Sequence, residues 1–368
     1  MTLPIARPED VGFRPQAIAE VDLLLERHLA EAAFPGAVAA VGKDGALAYL
    51  RAFGRLSYDT DAPAVETDTI YDLASLTKVV VTTTMAMILV DQGLVDLAAA
   101  VSTFLPGFKG GGRERVTVWH LLTHSSGLPG WAALYEEAIG RQAYLRRIEA
   151  TPLSFEPGRQ SEYSDLGFML LGEVLERVAG EDLDVFARRA ILGPLGMKDT
   201  LYRPGPERLP RIAPTERDPW RGRLLRGEVH DGNAFALGGV APHAGLFGTA
   251  LDLATFAQMI LDGGVHDGKR IVSRETVERF TRRAGIPGSS RALGWNTPAP
   301  GSSAGGLLSP ESVGQTGFTG TSLWIDAPRR LFLILLTNRV HPTRANEAVP
   351  RVVRAAFAEA VIRSLARP

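Results

Sequence analysis

Hydrophobic and polar positions alternate with different periods in different parts of the chain. Residues 15–31, PQAIAEVDLLLERHLAE, place Ile18, Val21, Leu25 and Leu29 on one face, and Pro15 suits a first helical turn; this predicts an amphipathic helix. Residues 36–54, GAVAAVGKDGALAYLRAFG, predict two strands around a turn at Lys43-Asp44-Gly45. From about residue 75 helical patterns dominate: 75–92 ending before Gly93, a short one at TVWHLLTH, 166–179 ending at Gly180, and 251–263. Gly- and Pro-rich loops such as LPGFKGGGRE and LYRPGPERLPRIAPTERDP separate them. Beyond ALGWNTPAPGSSAGG, the segment TSLWIDAPRRLFLILLTNRV predicts two strands around a turn at Ala327-Pro328, and a helix over about 346–366 closes the chain.

Both ends therefore read as sheet plus helix, and the middle as mostly helical. The expectation is an α+β fold: an α/β lobe from residues 1–74 and 290–368, with a mainly helical lobe, 75–289, inserted between. No internal repeat or low-complexity tract interrupts this pattern.

With 45% hydrophobic residues in 368, the chain has enough apolar material for a full core. A net charge of −1 gives no electrostatic reason to expect nucleic acid or an acidic membrane surface as a partner. The absence of cysteine excludes disulfides, thiol nucleophiles and Cys-based metal sites. No apolar run approaches the ~18 residues of a membrane span. The start, MTLPIARPEDVGFRPQ, lacks the basic and apolar regions of a signal peptide, so a cytoplasmic location is expected; a secreted or periplasmic one would need a leader outside this sequence. GGVHDGKR has the glycine spacing of a phosphate loop, but Arg270 stands where Ser or Thr should be and a helix precedes it, so Asp267-Gly268 reads as a turn.

One residue does not fit its surroundings. The basic residues include only five lysines, Lys43, Lys78, Lys109, Lys198 and Lys269, and Lys78 alone lies in an apolar helical pattern, YDLASLTKVVVTTTMAMILV. Ser75 precedes it by three positions, which puts the two on one helix face. A buried lysine loses affinity for its proton, and a neutral one can take the serine proton and make the hydroxyl a nucleophile. The bland alternative is a capping serine and a lysine reaching for solvent. Roughly 0.2 such pairs are expected by chance from 17 serines and five lysines, so the pair decides nothing alone.

Two further segments do. SEYSDLGFML sets Tyr163 and Asp165 before another apolar helix, and VGQTGFTGTSLWID sets a Gly-containing turn at a strand edge. Together, S75-L-T-K78, Y163-S-D165 and Q315-T-G317 resemble the three active-site elements of serine β-lactamases and penicillin-binding proteins, most closely the class C β-lactamase and esterase branch. HLLTHSSGLP, HDGNAFALGGVAPHAGLFGTALDLATFA and LLTNRVHPTR are similar to this branch as well, so the resemblance runs from about residue 8 to 366. It implies the β-lactamase/transpeptidase fold, an antiparallel sheet flanked by the terminal helices beside a helical lobe. It further implies Ser75 as acylated nucleophile, Lys78 as its partner base and Tyr163 as the proton relay. Asp165, Gln315, Thr316, Gly317 and Phe318 would line the substrate, with the amides of Ser75 and Phe318 as the oxyanion hole. No cofactor and no metal are implied.

The chain departs from the family pattern twice. Asp165 stands where an asparagine is usual; as a carboxylate it accepts only, and beside Lys78 it would hold that lysine charged and move the base role toward Tyr163, unless it merely caps the next helix. Gln315 stands where a Lys or His is usual and cannot supply a charge to a substrate carboxylate; Arg339 is a candidate replacement. His120 and His124 are spaced as metal ligands on a helix would be, yet the glutamate and third ligand of a zinc hydrolase are missing; His124 is expected to bond within its own loop, and His230 and His243 to be structural or to line the cleft.

Three functions compete at this point. The leading one is a serine hydrolase of small carboxylic esters or amides with weak or absent β-lactamase activity. The second is a DD-peptidase, or a muropeptide amidase or esterase, of cell-wall metabolism or recycling. The third is a non-catalytic ligand-binding protein on the same fold. The expected partner is a small ester, amide or β-lactam-like molecule, and the sequence carries no signal for an oligomeric state.

Overall fold

Strand Gly36–Lys43 is apolar at nearly every position because both of its faces are buried. Ala37, Ala39 and Val41 join Leu331, Leu333 and Leu335 in one core, while Val38 and Ala40 join Phe332, Ile334 and Leu336 in another. The computed structural model describes residues 3–138 and 140–366 and is built on a five-stranded sheet. Its order is Val313–Thr316, Ser322–Asp326, Leu331–Thr337, Gly36–Lys43 and Ala46–Gly54, every pair antiparallel. The two ends of the chain thus meet in one sheet, with Val38 opposite Leu336.

Helices Pro15–Ala30 and Arg354–Ser364 pack on each other and cover the first face through Ile18, Val21, Leu25, Phe357 and Val361. Helix Ala250–Leu261 lies on the second face and joins it to the helical region. The run after Ser75 passes through that region with Val79, Val80, Val81, Met85 and Met87 fully buried. It is wound more widely over Lys78–Thr83, as a π-helical turn, before continuing as helix Thr84–Asp91. Helix Asp165–Ala179 packs against both parts.

The structure refines several expectations. The strands near the C-terminus are joined by four residues, 327–330, and the last helix begins with a π-helical turn at Val349–Val353. Helix Arg141–Ala150 was not anticipated; only Tyr144 and Ile148 are buried in it, so its apolar stripe is thin. Residues 265–270 form a hairpin turning at Asp267-Gly268. Among the described residues, no helix is long and apolar enough to cross a membrane.

The sheet tolerates no side chain at position 42, where a Cβ would lie 2.1 Å from the Phe332 ring. Phe332 fills the space that Gly42 leaves and is fully buried. Phe332→Ala is expected to lower the unfolding free energy by about 3–5 kcal/mol, measured by urea denaturation. A loss below ~1 kcal/mol would show that the layer between sheet and helices repacks around the gap.

Candidate active site

Ser75 sits on a tight turn just before the buried helical run. Ala74 has a left-handed backbone, φ 46°, unusual for a residue with a side chain, and its amide is held by Asp72 Oδ1 at 2.8 Å. Asp72 is itself buried and also accepts from the His230 amide at 2.7 Å. The serine turn is fastened to the turn after the edge strand: Thr319 Oγ1 donates to Asp72 O at 2.7 Å and Thr321 Oγ1 to Leu73 O at 3.0 Å. Gly317 lies where they meet. A Cβ there would be 2.1 Å from Thr321 Oγ1 and 2.5 Å from Leu73 O, so the close approach requires glycine.

Lys78 is completely buried behind this turn. Its Nζ donates to Ser75 Oγ at 3.0 Å and to His243 O at 2.9 Å. It also lies 2.7 Å from Asp165 Oδ1, a close ion pair without hydrogen-bond alignment. Burial alone would lower the Lys78 pKa; the attraction of Asp165, then of Tyr163, outweighs it and the net direction is upward. The lysine is therefore an ammonium at neutral pH, a donor to Ser75 Oγ and not an acceptor. The same contact decides between the two readings of Asp165. The cap of helix Asp165–Ala179 is Ser164, whose Oγ accepts from the Gly167 amide at 3.0 Å, which leaves the Asp165 carboxylate to face Lys78.

Two cations lie close to the Tyr163 ring, with Lys78 Nζ 4.9 Å and the Arg291 guanidinium 5.1 Å from its centre. It packs on His124, ring centres 4.6 Å apart. His124 does not bond within its own loop as expected: its Nδ1 accepts from the Ser164 amide at 2.9 Å, which puts the ring proton on Nε2. Burial, reinforced by the charges of Arg291 and Lys78, pushes its pKa well below the ordinary range, so it stays neutral. His120 closes the capping box of helix Val118–Leu122 with Thr117. Among the described residues, no three His, Asp or Glu side chains are grouped to hold a metal ion.

These pieces border one cleft of about 940 Å³. Ser75, Tyr163, Asp165, Gln315, Thr316, Gly317 and Phe318 all line it, with Lys78 directly behind. Among the described residues, the amides of Ser75 and Phe318 donate to no other group, as free oxyanion donors would. The end of the proline-rich loop 202–220 also reaches the cleft, through Asp218, Pro219 and Trp220, and Trp220 packs on Tyr135 with ring centres 4.6 Å apart. His230 and His243 line it and are tied to carboxylates, His230 Nε2 to Glu216 and His243 Nε2 to Asp231, both at 2.9 Å.

Arg339, the candidate replacement for a cation at 315, lines the cleft but spends its donors on backbone: Nε to Phe318 O at 2.9 Å and Nη1 to Asn346 O at 2.6 Å. The cleft is nevertheless not short of positive charge. Arg291 lies on the loop before Gly294-Trp295, and that loop is docked on the sheet edge by the reciprocal bonds of Asn296 and Gly314, both 2.9 Å. No spacing or motif in the sequence pointed to Arg291. It is one arginine among many, and it reaches the site only because a loop pairs with an edge strand far from the serine.

A family model described as Beta-lactamase matches residues 21–357. The chain belongs to the beta-lactamase family. Over 92% of its length it is 34% identical to the N-acetylmuramyl-L-alanine amidase of Bacillus subtilis, covering 84% of that protein. Over 94% it is 32% identical to a protein of Salmonella typhi named "Putative D-alanyl-D-alanine carboxypeptidase", covering 88% of it. A penicillin-binding protein homolog from Caulobacter crescentus superposes with a TM-score of 0.78, covering 96% of this chain and 99% of that one; at 23% identity it shows the fold. The fold is thus the β-lactamase/transpeptidase type, and the protein is a serine hydrolase of the beta-lactamase and penicillin-binding-protein kind.

Two outcomes follow from this beta-lactamase-type site. Gly317→Ala is expected to push apart the turns of Ser75 and Phe318 and to lower kcat at least ~10-fold for any acyl substrate, less than the ~10²–10³ that losing an oxyanion donor outright costs. Unchanged kcat would mean that the two turns move without consequence. The second outcome concerns pH. Burial would raise the Glu216 pKa, but hydrogen bonds from His230 and Arg344 outweigh it and hold it at about 2, below the usual 4.5. A depressed carboxylate stabilises the fold fully above 4.5 and ceases to as pH falls toward 2. The stability gap between wild type and Glu216→Gln, from urea unfolding at several pH values, should therefore shrink from pH 5 toward pH 2. A gap independent of pH would contradict this.

Proposed function

We propose that the chain hydrolyses the amide bond between an acyl group and an amino acid in peptidoglycan-derived fragments, through an acyl-enzyme on Ser75. The observation that carries this reading is the Lys78–Asp165 ion pair beneath Ser75 Oγ, with Tyr163 in the same cleft. Relatives named as an amidase of N-acetylmuramyl-L-alanine and a carboxypeptidase of D-alanyl-D-alanine, each matched over nearly the whole chain, support an amide as the bond cut.

In this reading Ser75 Oγ attacks the carbonyl carbon and its proton passes to the Tyr163 phenolic oxygen. The charged Lys78 cannot take that proton; its hydrogen bond steadies negative charge on Oγ instead. The carbonyl oxygen gathers charge opposite the amides of Ser75 and Phe318. Tyr163 then gives the proton to the departing nitrogen, and the amine leaves. Water attacks the acyl ester, Tyr163 accepts its proton and returns it to Ser75 Oγ, and the carboxylic acid is released. Lys78 Nζ and the Arg291 guanidinium stand 4.9 and 5.1 Å from the centre of the Tyr163 ring, close to this proton path. Carboxylic esters, with the same carbonyl and a better leaving group, are substrates for the same groups.

Release of L-alanine from N-acetylmuramyl-L-alanine, compared between wild type and Ser75→Ala, tests the reading. Loss of the nucleophile should cost at least ~10³ in rate. A fluorophosphonate adduct, read by mass spectrometry, should fall on Ser75. Turnover of p-nitrophenyl esters together with inertness toward N-acetylmuramyl-L-alanine and D-alanyl-D-alanine peptides would replace the amidase reading with an esterase.

A further inference from the structure

Arg354 opens helix Arg354–Ser364, borders the cleft and is only 6% exposed. Among the described residues no carboxylate pairs with it, and its Nε has no acceptor. Burial, and then the charge of nearby Arg339, push its pKa down to about 9, so it is still a cation at neutral pH. A charge taken out of water without a counter-charge costs the fold stability, and breaches of that rule gather at functional sites. What Arg354 does bond is a single turn. Its Nη2 donates to Gly317 O and, at 2.8 Å, to Thr321 O.

That turn is already closed by its own backbone, from the Gly317 amide to Thr321 O at 2.8 Å and from the Gly320 amide to Gly317 O at 3.1 Å. Thr319 and Thr321 fasten it to the serine turn. Shape and anchorage are thus supplied by neutral groups, and the cation adds something further. Gly317 O and the Phe318 N–H belong to one peptide unit. The unit is planar and trans, so its N–H points away from its C=O. Whatever holds the oxygen on the Arg354 side therefore aims the hydrogen to the opposite side. A cation on the oxygen also draws electron density from the nitrogen, which makes the N–H a stronger donor. This Phe318 amide donates to no other group among the described residues, and Phe318 shares the cleft with Ser75. Arg339 holds the next carbonyl, with Nε donating to Phe318 O at 2.9 Å.

We propose that Arg354 is a positioning residue for acylation: by holding Gly317 O it aims and polarises the Phe318 amide as an oxyanion donor. The proposal rests on the acyl-enzyme reading above. In that step Ser75 Oγ bonds to the carbonyl carbon and the C=O electron pair moves onto the oxygen. Collapse returns the pair and breaks the bond to the leaving group. The oxygen is fully charged only between these two events. A stronger donor at that point lowers the barrier and leaves substrate binding almost unchanged. A buried, fixed cation also has no solvent to rearrange when the charge appears. Arg354 acts here through the peptide and not on the reacting atoms.

The test compares a p-nitrophenyl ester with its thiono counterpart, in which a weakly accepting sulfur replaces the carbonyl oxygen. Arg354→Met should lower kcat on the oxygen ester roughly 10- to 100-fold, with KM within about 3-fold of wild type. On the thionoester the loss should be at least ~3-fold smaller, because the sulfur gains less from the donor. Arg354→Lys keeps the charge without the fork and should recover part of kcat on the oxygen ester. Unchanged kcat, a loss confined to KM, or equal losses on the two esters overturns the proposal and leaves Arg354 as a tie between helix and turn. If Arg354→Met does not fold, Arg354→Lys is held to the same comparison, and equal losses on both esters again overturn it. If wild type cleaves neither ester, the acyl-enzyme reading fails for them. The clamp is then judged by the rate at which a fluorophosphonate, whose P=O oxygen meets the same amides, labels Ser75. Arg354→Met should label at least ~10-fold more slowly than wild type. Equal rates, or no label on wild type, overturn the clamp.

Discussion

The buried ion pair of Lys78 and Asp165 sets the terms for the rest of the site. A lysine with no solvent exposure has to be neutral, or be matched by a carboxylate and hydrogen-bond acceptors. Here it is matched: Asp165 supplies the charge, and Ser75 Oγ and His243 O take two of the three ammonium donors. Once the lysine is fixed as a cation it can steady an alkoxide but cannot create one. Tyr163, close to both Lys78 and Arg291, lines the same cleft as the serine. Neutral His124 behind it holds the ring and the following cap without adding charge of its own.

Position matters as much as charge, and it comes from the way the two ends of the chain close one sheet. The Ser75 turn comes before the helical region and the Phe318 turn after it. They meet because Thr319 and Thr321 bind the carbonyls of Asp72 and Leu73 across an approach that only glycine at 317 permits. The edge strand Val313–Thr316 carries one wall of the cleft, and its outer side is taken at Gly314 by Asn296. That one backbone pairing carries the Arg291 loop to Gln315. A left-handed Ala74 is kept where it is by Asp72, so the strained turn is supported by a buried carboxylate and not by local preference.

What could be read from the sequence follows from how local each signal is. The sheet was legible because a strand buried on both faces is apolar at nearly every position, as in GAVAAVG and LFLILLT. The serine and lysine were legible because a helix converts a spacing of three into proximity. Asp165 was ambiguous because Ser164 next to it is an equally good cap, and only the contact with Lys78 separates the two. His124 was read within its own loop because its partner, the Ser164 amide, lies in a distant segment. Arg291, Asn296 and the aromatic pair of Tyr135 and Trp220 could not be found at all. Each reaches the cleft on a loop whose path is set by tertiary contacts, and none carries a spacing that repeats.

The third motif shows what this costs a reading by residue type. A glutamine in place of a cation predicts a cleft with less affinity for carboxylates unless an arginine elsewhere, Arg339 being the candidate, replaces the charge. The structure keeps a cation in the cleft and moves it from the strand to a loop, with Asn296 carrying the connection between Arg291 and Gln315. Position 315 thus meets the cleft through a hydrogen-bond direction, set by the Asn296 side chain and the Thr316 amide on its Oε1, and not through a charge of its own.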